Sequence, residues 1–515
     1  MVACPAVGPA VKEHILQPAL SLSTSALLQD NGIGALLNLF EQMIVNKTIE
    51  FEELLSLLQQ QLSSKVQNRG IYKLSKSIAA ITAKAPADKQ QGVLDDIFKL
   101  LDGSPGPDEE KQVQLSLLIT GDLGRVVDLN KNNIGDRLKT IYLQFFESSS
   151  DDLKNAAAYA LGNAAVGSPV LLEAIMAKFG NEKQQYLLLS ALREFIQSSA
   201  RSGADISSHL DAIVPHLEAS CAASEEGVRT MTADCLGALA FVHPDVILPK
   251  LVELQQKHSM ISCTNGVIPS EDSASRANAN VSVTIATAVK VAVYGKVDQE
   301  KLAVHMKSLV ELLQQEEVGV RGAALLMIYS AVHHMPQTVA ALLKSVIMPQ
   351  LYVIAGTKLE RKVDLGPFTH TVDDALPLRK TTLSIFATCL EELPSCLDMA
   401  ELMPILAKAI GDAEDIQLHA HQVVISMAPR HPTYVVAAID SFVDPLFKTL
   451  TKKAGQKTGT ELERLNDWIK SALRVVMALK SVDGTLNSRK FSDFVDKVEA
   501  EKNFTAHLAA IAQEN

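Results

Sequence analysis

Aromatic side chains are scarce in this chain, 5% of 515 residues with a single tryptophan, Trp468. That scarcity argues against sandwiches and barrels, while an apolar content of 47% dominated by Leu, Ala and Val suits stacked helices. Cysteines are few and scattered: Cys4, Cys221, Cys235, Cys263, Cys389 and Cys396 include no C-x-x-C pair. Neither a zinc site nor a disulfide framework is predicted, and the thiols read as reduced ones of the cytosol or nucleus. Lys12, Glu13 and His14 interrupt the N-terminal apolar stretch, and no apolar run of about 18 residues occurs. The expectation is an intracellular protein, cytoplasmic and nuclear, with no membrane contact. Basic excess is also absent. A formal net charge of −11 at pH 7 argues against nucleic acid, because phosphate binding needs clustered Lys and Arg, and favours a basic or neutral protein partner.

Catalytic signatures are missing as well. There is no Gly-rich phosphate loop, no G-x-S-x-G elbow and no H-E-x-x-H. His419 and His421 are two apart on an expected helix and so diverge, and His333-His334 sit near a helix end before Pro336. Zinc needs three or four converging ligands, so no metal, cofactor or small-molecule substrate is predicted, and the chain is not expected to be an enzyme.

What is present is repetition. A chain of this length exceeds one ordinary core and is either several domains or an array. The starts DDLKNAAAYALG (151–162), EGVRTMTADCLG (226–237) and VGVRGAALLMIY (318–329) align: an acidic or small residue, an apolar anchor, often a basic residue, then small residues that let a neighbouring helix approach. Anchors fall at Leu115, Leu153, Gln184, Val228, Val281, Val320, Leu378 and Ile416, with intervals of 38, 31, 44, 53, 39, 58 and 38. A HEAT unit repeats about every 40–47 residues, so an all-α HEAT-repeat solenoid is predicted and the two long intervals locate insertions. Segments near 33–62 and 70–101 read as amphipathic helices, and Asp102 to Glu110 as a loop. Residues 1–30 read like the middle of a repeat, which suggests the back part of something longer. Arg229 and Arg321 are expected to bridge successive repeats. Cys389 and Cys396 should share the buried face of one helical pair.

The first insertion, Ser262 to Asn280, is rich in Ser and Asn and reads as a disordered surface loop. The second changes from helical periodicity to alternation around Gly366-Pro367: Val363 and Leu365 alternate with Lys362 and Asp364, then Phe368, His370 and Val372 with Thr369 and Thr371. This predicts a β-hairpin at about 360–373. A lone hairpin is marginal in water, so it lies either on its own helices or on a partner. Its retained apolar residues favour the partner. Lys452, Lys453 and Lys457 form a small basic loop, read as a solvated turn.

KLERKVDLGPFTHTVDDALPLRK (358–380), with SFVDPLFKTL (441–450) and LERLNDWIKSALRVVMAL (462–479) after it, and EKQQYLLLSALREFI (182–196) and EEGVRTMTADCLGALAFVHPDVILPKL (225–251) before it, resembles the C-terminal half of cullin-associated, neddylation-dissociated proteins. The resemblance runs from about residue 25 to 480. It implies a HEAT solenoid that binds a cullin of a cullin-RING (SCF-type) ubiquitin ligase and exchanges its substrate-receptor modules. The hairpin would occupy the adaptor's docking place. That role carries over to Val363, Asp364, Leu365, Gly366, Pro367, Phe368, His370, Thr371, Val372 and Asp373. The same C-terminal part is also named for an interaction with the TATA-box-binding protein, which makes that protein a further candidate partner. The expected organisation is a HEAT array over 1–300 with a flexible loop at about 260–280, a cullin-binding domain over 301–480, and a helical tail over 481–515. Two features depart from the family pattern: the N-terminal arch has no counterpart here, and the Ser262 to Asn280 loop is longer than usual. A second reading is a HEAT-type transport receptor or scaffold, which would not need the L-G-P-F-x-H-T-V-D-D stretch.

Overall fold

A computed structural model describes residues 8–103, 106, 109–128, 134–258, 273–364, 369–452, 455 and 458–514. Helices follow one another along nearly all of this length, and the one sheet among the described residues has two strands. The chain is an α-solenoid of helix pairs. It divides into two compact units, up to Ala238 and from Leu239 onward.

In the first unit the second helices of successive pairs, Asn68–Lys84, Glu110–Gly124, Asp151–Ala165 and Gln185–Ser202, pack each on the next. In the second unit Ser273–Tyr294, Val318–His334, Leu376–Glu392, Glu414–Met427 and Thr460–Lys480 do the same. The anchors explain this regularity. Leu153, Val320 and Leu378 each occupy the third position of their helix and are buried. In the first two the residue three places earlier caps the helix: Ser150 Oγ accepts the Leu153 N–H at 3.4 Å, and the Glu317 carboxylate accepts the Val320 N–H at 2.6 Å. A capped start and a buried third residue together fix where those two helices begin, and Pro377 in the first turn does so for Leu376–Glu392.

Small residues then set the spacing between helices. The helix Asp151–Ala165 buries Ala156, Ala157, Ala160 and Ala164 completely. A Cβ on Gly162 would stand 2.1 Å from the Ala191 carbonyl oxygen of the next helix, and one on Gly121 would stand 2.4 Å from the Ala160 Cα. Alanine gains about 1 kcal/mol over glycine inside a helix, but forcing two backbones apart typically costs about 1–3 kcal/mol. The obstacle at Gly162 is backbone and cannot swing aside, so overpacking wins. Gly162→Ala should lower the stability of the first unit by about 1–2 kcal/mol in urea unfolding; an unchanged or raised midpoint would contradict the close approach.

Several expectations need correction. The segments near 33–62 and 70–101 are each a pair of helices, Asp30–Val45 with Phe51–Gln59 and Asn68–Lys84 with Ala87–Leu101. Lys47 breaks the first at φ 52°, and extended backbone at Ala85 and Pro86 breaks the second. Of the loop expected over Ser262 to Asn280, the last eight residues are helix, part of Ser273–Tyr294. Alanines at 274, 277 and 279 support helix, and His258 Nδ1 lies 2.7 Å from Asn278 Oδ1, tying the first turns of this helix to the preceding one. Residues 262–272 lie outside the described residues. Beyond residue 480 the helices Arg489–Ala500 and Thr505–Glu514 continue the chain. Among the described residues no helix is long and apolar enough to cross a membrane.

Candidate functional site

The hairpin stands between the helices Met348–Gly356 and Leu376–Glu392. Strands β1 (Glu360–Asp364) and β2 (Thr369–Asp373) are antiparallel, with Arg361 opposite Val372 and Val363 opposite His370. Directly opposed residues share a face, so Arg361, Val363, His370 and Val372 line one side, and Lys362, Asp364, Thr369 and Thr371 the other. For the described residues these sides match the alternation read from the sequence, with Val363, His370 and Val372 on one and Lys362, Asp364, Thr369 and Thr371 on the other. Of the ten strand residues only Val363, Val372 and Asp373 are half-buried; the rest are exposed. Leu365, Gly366, Pro367 and Phe368, which join the strands, lie outside the described residues.

Two strands with so little burial do not hold a direction by packing. Direction comes from the root. The Asp373 carboxylate accepts the Leu359 N–H at 2.9 Å and the Ala375 N–H at 3.1 Å, and so joins the chain entering β1 to the chain leaving β2. The Leu359 carbonyl accepts the Asp374 N–H at 3.0 Å. Arg361 pairs with Asp374 at 2.7 Å. Beneath these lies Arg379, whose side chain is 1% exposed. Its guanidinium donates to Asp373 Oδ2 at 2.6 Å, to the Thr357 carbonyl at 2.9 Å and to Asp412 Oδ1 at 3.2 Å. The Arg379 Nε sits 3.2 Å from Asp412 Oδ2 without hydrogen-bond alignment, which makes that side a charge contact. Partial burial alone would raise the Asp373 carboxyl, but the Leu359 N–H, the guanidinium and the Ala375 N–H outweigh it and hold the group below its ordinary value.

Asp412 carries the connection onward. Its carbonyl accepts Gln417 Nε2 at 2.8 Å, and Gln417 Oε1 accepts both the Thr449 hydroxyl and the Trp468 indole N–H at 2.9 Å. Lys452 Nζ lies 3.5 Å from the centre of the Trp468 ring, a cation–π contact. Lys452 of the expected basic turn is thus held on the one tryptophan; Lys453 and Lys457 lie outside the described residues.

The remaining candidates sort by environment. His421 is fully buried with Nδ1 2.9 Å from Ser471 Oγ, whereas His419 Nδ1 lies 2.9 Å from the Asp415 carbonyl, so the two rings diverge. His333 stacks on Tyr329, and His334 meets Tyr294 edge-on. Cys389 and Cys396 are both buried, but Cys396 lies in the 3₁₀ turn Pro394–Cys396 that leaves the helix carrying Cys389. Among the described residues no three His, Cys, Asp or Glu side chains converge as a metal site would require. Arg229 and Arg321 do not bridge successive repeats. Arg229 donates to the Ala223 and Ser224 carbonyls at 2.8 and 2.7 Å, and Arg321 to the Gln315 and Glu316 carbonyls at 2.5 and 3.4 Å. Each closes the turn just before its own helix, because orphan carbonyls there are nearer than any group on the next repeat. Sequence reasoning missed Arg379 and Asp412 altogether, although a basic residue after the anchor was the available signal.

The family described as TATA-binding protein interacting (TIP20) matches residues 338–499, which include the hairpin and its root. Over 94% of its length the chain is 30% identical to Cullin-associated NEDD8-dissociated protein 1 of Arabidopsis thaliana, covering 39% of that protein. It is 31% identical to the protein of the same name from Dictyostelium discoideum, over 98% of this chain and 40% of the relative. The chain therefore spans about two fifths of the length of these curated relatives. Among solved structures, the karyopherin Kap121p bound to the SUMO protease Ulp1p aligns with a TM-score of 0.50 at 15% identity, over 97% of this chain and 48% of that one. At that identity the likeness bears on the solenoid fold alone.

Proposed function

The chain belongs to the family of cullin-associated NEDD8-dissociated proteins, and from that premise we propose that it binds the N-terminal region of a cullin and competes there with the adaptor of the substrate-receptor module. One observation carries the finer part of this reading: an exposed two-stranded hairpin whose root is held by a buried arginine of the helix after it, paired with Asp373 and Asp412 and hydrogen-bonded to the Thr357 carbonyl at the end of the helix before it. A solvated loop has no use for a fixed direction. A competitor does, because an element already aimed at its target loses less freedom on binding. The repeats supply many modest contacts, and the hairpin supplies exclusion, since two proteins cannot fill one surface. No reaction is assigned to the chain. The proposed contact residues are Val363, Asp364, Leu365, Gly366, Pro367, Phe368, His370, Thr371, Val372 and Asp373.

The test uses the purified chain and a bare cullin N-terminal fragment. Direct binding is expected by titration calorimetry, with an apparent affinity that falls in proportion as adaptor is added. Binding unaffected by saturating adaptor would remove the competition and leave a scaffold. Failure to bind any cullin, with capture of a transport GTPase instead, would favour the transport-receptor reading.

A further inference from the structure

We propose that Arg379 is the positioning residue of the hairpin, and that it is the repeat's own turn-closing arginine diverted to hold an insertion. The comparison is internal to the chain. Arg229, Arg321 and Arg379 each occupy the fourth position of the second helix of a pair, directly after the buried anchors Val228, Val320 and Leu378. Arg229 and Arg321 reach back five or six residues to the carbonyls of the short turn before their helix. Arg379 also reaches a carbonyl before its helix, but that carbonyl belongs to Thr357, 22 residues back. The hairpin has been inserted into the turn that this arginine closes.

The insertion changes the surroundings of the guanidinium. Arg229 and Arg321 are half-buried and bond only to carbonyls in the contacts above, whereas Arg379 is 1% exposed and lies between two carboxylates. One face of its planar fork holds Thr357 and Asp373, the two ends of the hairpin, and the other meets Asp412 in the turn of the following pair. Both legs of the hairpin are therefore referred to the same rigid group. A lysine keeps the charge but cannot serve three acceptors in fixed directions. Competition by a preformed hairpin then depends on a residue outside it, a dependence that rests on the function proposed above.

The experiment is a four-protein cycle: the intact chain, Arg379→Lys, the chain with Lys362–Thr371 replaced by a Gly-Ser linker, and both changes together. Displacement of pre-bound adaptor from a cullin N-terminal fragment is timed for each. Arg379→Lys is expected to slow displacement about tenfold in the intact chain and by less than about twofold when the hairpin is absent. Equal slowing in both backgrounds would overturn the inference, because the arginine would then act through the solenoid and not through the hairpin. Amide exchange in β1 and β2 gives a readout that does not depend on competition. It should accelerate in Arg379→Lys while the helix Leu376–Glu392 keeps its protection, and unchanged exchange would overturn the inference. If linker replacement leaves displacement intact, the competition reading fails, and exchange alone then decides the role of Arg379. Should Arg379→Lys fail to fold, Asp412→Ala takes its place in the cycle, since it removes the acceptor on one side of the guanidinium and leaves Thr357 and Asp373 bound.

Discussion

Replacing Lys362 to Thr371 with a short Gly-Ser linker should leave helical content and melting almost unchanged while adaptor displacement largely disappears. Among the described residues of the replaced segment only Val363 is half-buried, and Val372 loses its partner strand. The Asp373–Arg379–Asp412 contacts lie outside it and persist. Loop closure entropy changes by only about 0.6 kcal/mol per doubling of length. Solenoid stability is roughly a sum over repeats and their neighbours, so a lost projection is not felt far away. Binding to a bare cullin fragment should weaken modestly, because contact is spread over many repeats. Circular dichroism and a displacement assay check both halves. Displacement as fast as that of the intact chain would mean that the hairpin is not the competing element, and unfolding would mean that it is a packing element of its own helices.

His421 should make the second unit sensitive to mild acid. Burial pushes its imidazole down to about 4 from an ordinary value near 6.5. In the folded chain the ring therefore stays neutral to lower pH than in the unfolded chain, so between those values the unfolded state binds more protons. Stability is full above about pH 6.5 and is lost as pH falls toward 4. The loss amounts to about 2 kcal/mol by pH 5 and approaches about 3 kcal/mol at the lower end. The surroundings agree with this direction: among the described residues Nδ1 meets the Ser471 hydroxyl, and the buried Nε2 finds no hydrogen-bond partner to stabilise a second proton. Denaturant unfolding at pH 7.5 and pH 5 should show the loss in the intact chain and a much smaller one in His421→Gln. An equal loss in both would assign the acid sensitivity to other groups.

The fold was legible because two periods coexist in this chain. Buried anchors with small residues after them mark the second helix of each pair, and Leu153, Val320 and Leu378 sit where that pattern puts them. Alternation around Gly366-Pro367 marked a hairpin at about 360–373, where the strands Glu360–Asp364 and Thr369–Asp373 lie. The N-terminal limit of the helix at Ser273 was not legible, because Ser and Asn there suggest a loop while the alanines between them and the Asn278 contact to His258 make helix. The hairpin root was hidden for a different reason. Arg379 is 33 residues from Asp412, and the insertion puts the Thr357 carbonyl 22 residues before the guanidinium that reaches it, so no local pattern joins the groups. Arg229 and Arg321 were misread because a basic residue at a fixed helix position suggests a partner on the next repeat, whereas unpaired turn carbonyls of its own repeat lie closer.

The most direct measurement of the central claim is a photo-cross-link from the hairpin itself. Lys362 is exposed on β1, so a photoreactive side chain placed there should disturb nothing beneath it. Irradiated with a bare cullin N-terminal fragment, it is expected to cross-link to the surface on which the adaptor docks, and pre-bound adaptor should suppress the product. Cross-links confined to other parts of the cullin, or a yield that adaptor does not change, would contradict the hairpin as the competing element.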